Sequence, residues 1–154
     1  MYTAVLDIHS LIRWLVILFG LLAIVRAFRG WFGRKEWRPQ DDRVGLWFTV
    51  SLDTQTLFGM LLYLFFSPIT TSTFQNFGTA MADSERRFWA VEHITMMVLA
   101  LVFAHIGRAL SKKGNVPARR HRQAAFFYLI AILVIFFGVP WPFSRQARPL
   151  LPFL

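Results

Sequence analysis

The chain has no cysteine. That excludes disulfides, iron–sulfur clusters, thiolate metal sites and a covalently attached c-type haem. Other patterns are missing too. No two histidines stand four residues apart, and no carboxylate pair of the di-iron kind occurs, so a metal ion held by side chains alone has little support. There is no internal repeat and no low-complexity tract. The N-terminal stretch lacks a basic region and a small-residue cleavage site, and it carries Asp7 and His9 ahead of the first apolar run. The first apolar run is therefore expected to be a permanent span.

What is present is apolar and aromatic. Of 154 residues, 56% are hydrophobic, with six Trp and seventeen Phe. A soluble core of this size does not use so many large rings, whereas lipid-facing surfaces and interfacial belts do. The composition points to a single integral membrane domain, residues 1–154, in contact with the lipid bilayer.

Charge sets the expected topology. Twelve of the seventeen Lys and Arg fall in two short segments, Arg26 to Arg43 and Arg108 to Arg122, which separate the apolar runs. Basic residues beside membrane spans are retained in the cytoplasm, so both segments are expected inside and both termini outside. The net charge of +9 is then topology and needs no nucleic-acid partner.

Four spans are predicted, at about 11–28, 44–66, 87–110 and 123–139. The acceptor and acid side chains of Asp83, Ser84 and Glu85 suit the start of a helix. Gly138, Pro140 and Pro142 close the last span. Short connections imply an all-α, antiparallel, up-down four-helix bundle. A multi-pass protein of the bacterial inner membrane is the expected setting.

Ionisable side chains are costly in hydrocarbon and mark sites or buried pairs. At about 1.5 Å of rise per residue, His9, Arg13, Gln55, Gly59, Tyr63, Glu92 and His93 reach similar depth in the outer leaflet. His9, Arg13 and Gly20 share one helix face, as do Gln55, Gly59 and Tyr63. Ala90, His93, Met97, Ala100, Ala104 and Gly107 form a third stripe of mostly small residues. Such a stripe admits a neighbouring helix or a flat macrocycle. Both readings stand: helix packing, or a b-type haem between His9 and His93 with Gly20, Gly59 and the stripe giving room. Met60, Met96 and Met97 are the sulfur ligands available should His93 face a thioether instead of His9.

His93 and His105 do not share an iron, because twelve residues of helix separate them by about 18 Å. His105 has Asp53 as its partner by depth, although Thr49 and Thr56 also suit the Asp53 carboxyl. His121 falls in a basic loop and is expected to be solvated. Arg13, Gln55 and Glu92 suit the carbonyls and proton exchange of a quinone headgroup. Arg13 and Glu92 equally suit a structural ion pair between helices.

The segments His9–Arg13, Gln55–Tyr63, Arg87–Met97 and Pro140–Phe143 resemble those of small bacterial four-span proteins labelled cytochrome b, a largely uncharacterised family. The resemblance covers nearly the whole chain. It implies haem binding and electron transfer, with His9 and His93 at the positions matching a ligand role. The paired histidines of two-haem quinol–cytochrome b proteins are absent. The residues thus support a b-type electron carrier linked to quinol, or a non-catalytic subunit packed against other membrane subunits or further copies of itself.

Overall fold

The computed structural model describes residues 1–147, and every element among them is helical. Helix α1 spans Tyr2–Phe32, and α2 spans Pro39–Leu61 and continues through a π-helical turn, Leu62–Phe66. Two short helices follow, α3 (Pro68–Gln75) and α4 (Phe77–Ala80). Helix α5 (Ser84–Arg87) runs through a second π-helical turn, Phe88–Glu92, into α6 (His93–Lys113), and α7 spans Pro117–Gly138. Four of the resulting rods, Tyr2–Phe32, Pro39–Phe66, Ser84–Lys113 and Pro117–Gly138, are long and apolar enough to cross a membrane. The first helix outruns its predicted span at both ends, which places His9 within it.

Local chemistry sets the helix starts. Pro39 opens α2, a position where a missing N–H costs nothing. There the Asp41 carboxylate accepts the Arg38 amide at 2.8 Å and the Arg26 Nε–H at 2.9 Å, so one acid caps α2 and ties it to α1. Asp83 accepts the amides of Glu85 and Arg86 at 2.8 and 3.1 Å. Those two donors favour the ionised form and hold the Asp83 carboxyl below its usual range. The capping expected of Asp83 is therefore what the structure shows. The connection 69–82, by contrast, folds back as α3 and α4.

Apolar burial drives little association between helices whose alternative solvent is lipid, so close packing has to do it. Helix α1 packs against α2 and α7, and α6 packs against α7 and α2; the α2–α6 seam is the sparsest of these. Small residues make the close approaches. Ala100 and Ala104 of α6 and Ala125 and Ala131 of α7 are fully buried. A methyl on Gly107 would lie 2.8 Å from Phe127 Cβ, and one on Gly20 would lie 2.9 Å from the Phe48 ring. Gly20 is thus a packing residue between α1, α2 and α7.

His121 departs from expectation. It is 1% exposed, not solvated, and lies under Gly30 with its ring 4.8 Å from that of Trp37. Gly30 has no side chain to exclude the imidazole, and the Arg120 guanidinium lies over the Trp37 ring at 4.7 Å.

Candidate cofactor site

One cavity lies at the end of the helices where the two π-helical turns face each other. Helix α1 contributes His9 and Arg13, α2 contributes Gln55 and Gly59, and α6 contributes His93 and Met97. Tyr63, Trp89, Thr70 and Ile135 complete much of the wall. The cavity has a volume of about 120 Å³ and is partly open on one side. That is smaller than the roughly 300–1,000 Å³ of typical small-molecule and cofactor sites.

The π-helical turns organise the wall. A π turn shifts the backbone bonding by one residue, and such turns gather at functional sites. In the first, the Ser67 amide donates to Leu62 O at 2.8 Å. In the second, the His93 amide donates to Phe88 O. Two side chains fasten the turns together: Tyr63 Oη–H donates to Ala90 O at 2.7 Å, and Thr70 Oγ1–H donates to Tyr63 O at 2.9 Å. Tyr63 is therefore held by its hydroxyl, with its ring left as wall.

His93 is the most defined side chain of the site. Its Nδ1 lies 2.7 Å from the Gly138 carbonyl oxygen. A carbonyl only accepts, so Nδ1 carries a proton and the neutral ring keeps its lone pair on Nε2. Gly138 is the last residue of α7, where carbonyls lack partners in their own helix, so the acceptor is available for a structural reason. Phe88 and Trp89 flank the ring, with centroids 5.8 and 5.4 Å away.

His9 and Gln55 form the second polar group. Their ring and amide nitrogens are 3.1 Å apart, and both His9 Nδ1 and Gln55 Oε1 are buried without a hydrogen-bond partner. Unsatisfied buried polar atoms are rare in folded proteins and mark strain, water or a bound group. Gly59 makes room for this imidazole: a methyl there would lie 3.2 Å from His9 Cε1. Arg13 is 8% exposed, and its guanidinium lies 5.8 Å from the Trp14 ring.

Of the residues expected to converge, His9, Arg13, Gln55, Gly59, Tyr63 and His93 do line the cavity. Gly20 and Glu92 do not. The Glu92 carboxylate accepts the Arg87 Nε–H at 2.8 Å, with side chains 42% and 46% exposed. No Arg13–Glu92 pair forms in this arrangement, because Glu92 sits on the outward side of the second π turn. The small-residue stripe divides. His93 and Met97 line the cavity, while Ala100, Ala104 and Gly107 pack against α7.

Asp53 and His105 form their own pair, His105 Nε2–H donating to Asp53 Oδ1 at 2.7 Å. Thr49 and Thr56 bond instead to backbone carbonyls of their own helix. Among the described residues, no group of three His, Asp or Glu side chains could hold a metal ion. The cavity's donor set is two imidazoles from different helices, supported by an amide and a guanidinium. Such a set can ligate a metal already held in a macrocycle, or hydrogen-bond a flat carbonyl-bearing ring. Compared with protein-family models, curated proteins and solved structures, the chain matches none.

Proposed function

We propose that this chain is a small b-type cytochrome of the bacterial inner membrane, an electron carrier that holds one haem between His9 and His93. The observation that carries the reading is the Nδ1–H bond from His93 to Gly138 O. A histidine ligand ordinarily gives its other N–H to a carbonyl or carboxylate, which fixes its tautomer and orientation. His9 lines the same cavity from another helix; the Gln55 amide N–H donates to its Nε2, and that bond would have to open for the Nε2 lone pair to meet a metal. The likeness of the His9, Gln55, Arg87–Met97 and Pro140 segments to the cytochrome b-labelled proteins points the same way.

The donor chemistry, two imidazoles on different helices beside a guanidinium, suits the group. His9 and His93 would be the residues that hold it. Gly59 leaves the wall open beside His9, Trp89 and Phe88 pack the His93 side, and Arg13 brings positive charge for a propionate. When bound, haem supplies reversible one-electron transfer. The chain's own part is to keep the His93 proton on Nδ1 and to exclude water with the apolar wall of Leu52, Ile135 and Val139. A quinone headgroup would meet Arg13 and Gln55 in the same cavity, but not Glu92.

In this reading the four rods form an up-down antiparallel bundle. The loops at 33–38 and 114–116, with their basic flanks, lie in the cytoplasm, and the cavity lies towards the outer face. A reduced-minus-oxidised absorption spectrum of the purified protein tests the proposal. Reduced b-haem bands are expected in the parent, lost in His93→Ala, weakened or lost in His9→Ala, and kept in His105→Ala and His121→Ala. Full haem occupancy without His93 would overturn it.

A further inference from the structure

Asp53 stands fourteen residues past Pro39 and thirteen short of Phe66, the middle of the second membrane-length helix. At about 1.5 Å per residue it is ~20 Å from either end, deep in any bilayer that this helix crosses. Yet the pair it makes with His105 is not enclosed. Their side chains are 48% and 50% exposed. Val50 and Leu57 on α2, and Val98 and Val102 on α6, lie beside the pair on exposed faces along the α2–α6 seam. Hydrocarbon supplies no hydrogen bonds, and ionisable side chains within spans face protein or a polar cavity. An acid and an imidazole opened to lipid at mid-depth therefore call for a cover.

We propose that the cover is a second copy of the chain, docked by a two-fold axis normal to the membrane along the α2–α6 seam. The surface is complementary to itself. Each copy offers a carboxylate oxygen that the internal bond leaves free, beside a ring nitrogen that the same bond leaves free. Rotation by half a turn sets Asp53 against the second copy's His105 and His105 against the second copy's Asp53. Each contact between copies holds one proton, on the carboxyl or on Nδ1, so that the four side chains close a hydrogen-bonded cluster inside an apolar rim, and polar contacts of this kind hold membrane helices together. A two-fold interface uses the same patch twice, so one acid and one base on a patch suffice. The sparse packing between α2 and α6 leaves both helices free to present these faces. The inference rests on the rods lying in a bilayer and not on what the cavity holds.

The absence of native cysteine makes the test direct. Single cysteines at Val50 and at Val102 are expected to give covalent dimers on mild oxidation in membranes. Cysteines at Leu18 and Phe137, exposed on α1 and α7, are expected to give none. In nanodiscs, subunit counting by photobleaching is expected to show two copies. Asp53→His and His105→Asp each place like groups opposite one another and are expected to lose the dimer. Mixing the two variants restores it as a mixed dimer. A monomeric parent, cross-links mainly through Leu18 or Phe137, cross-links only to other proteins, or single variants that dimerise as well as the parent would overturn the proposal. Should either variant fail to fold, the parent's cross-linking pattern and subunit count decide.

Discussion

His93 Nδ1 lies 2.7 Å from the carbonyl oxygen of Gly138, so the last turn of α7 sets the orientation of an imidazole forty-five residues away. The contact joins the element that ends the bundle to the residue proposed as a ligand. It makes Gly138 consequential for the site although its side chain is a single hydrogen. A methyl there would lie 2.6 Å from Met97 Cε and 2.9 Å from Met96 Cβ. The thioether can turn aside, but Met96 Cβ is fixed to its helix. Gly138→Ala is expected to move the end of α7, to cost about 1–3 kcal/mol as overpacked cores do, and to lower haem retention in step. Thermal unfolding in detergent, read beside the haem spectrum, checks both.

Gly30 and His121 give a second test. The imidazole occupies the place where a Gly30 side chain would sit. Gly30→Ala is expected to destabilise by about 1–3 kcal/mol. Gly78→Ala, with nothing within 4 Å of its added methyl, serves as the near-neutral control. Residues in contact do not act additively. His121→Ala should therefore recover part of what Gly30→Ala loses, and a double-mutant cycle of melting temperatures measures that recovery.

These pairs show how much the sequence discloses. The helix start at Asp83, the end at Gly138 and the pairing of His105 with Asp53 were legible, because caps, prolines and depth are local properties; α2 itself starts at Pro39, five residues ahead of the expected span at 44. The cavity membership of His9, Arg13, Gln55, Gly59 and His93 followed from depth and helical phase. Glu92 was misplaced because helical phase assumes a uniform turn, and the π turn at Phe88–Glu92 breaks that assumption. No composition signal marks such a turn. Burial of His121 was hidden for another reason. It depends on the space over Gly30, which lies on a helix ninety-one residues earlier in the chain.

Orientation is tested by accessibility. In a chain without cysteine, single cysteines at Arg34 or Lys112 are expected to react with an impermeant reagent only from the cytoplasmic side. One at Gly78 is expected to react from outside. The reverse pattern would turn the bundle over and place the cavity near the cytoplasmic face.

Asp83 supplies a pH signature outside the spans. Its carboxylate is stabilised in the folded state by two backbone amides, so its folded pKa is depressed. Its contribution to stability is present above the unfolded carboxyl value and is lost as pH falls through the lowered one. Asp83→Ala should melt earlier than the parent at neutral pH, and the gap should close once the medium is acid enough to protonate the parent's Asp83. A gap that persisted in strong acid would show that the side chain acts by packing and not by accepting those amides.

Glu92→Gln separates two views of the cavity. A carboxylate serving a quinol would have to face Arg13 and Gln55, and its loss would slow haem reduction by a quinol analogue. The structure pairs it instead with Arg87 at 2.8 Å, on a surface where both side chains are more than two-fifths exposed. Exposed ion pairs contribute about 0–1 kcal/mol. Glu92→Gln is therefore expected to shift the melting temperature slightly, to leave the haem bands unchanged and to leave quinol-driven reduction at the parent rate. Arg87→Gln should also leave the haem bands and the reduction rate unchanged, but it loses in addition the Nη1–H bond to Met81 O at 3.2 Å and should melt somewhat earlier than Glu92→Gln. A large loss of reduction rate in Glu92→Gln alone, with stability kept, would mean that Glu92 turns into the cavity during turnover.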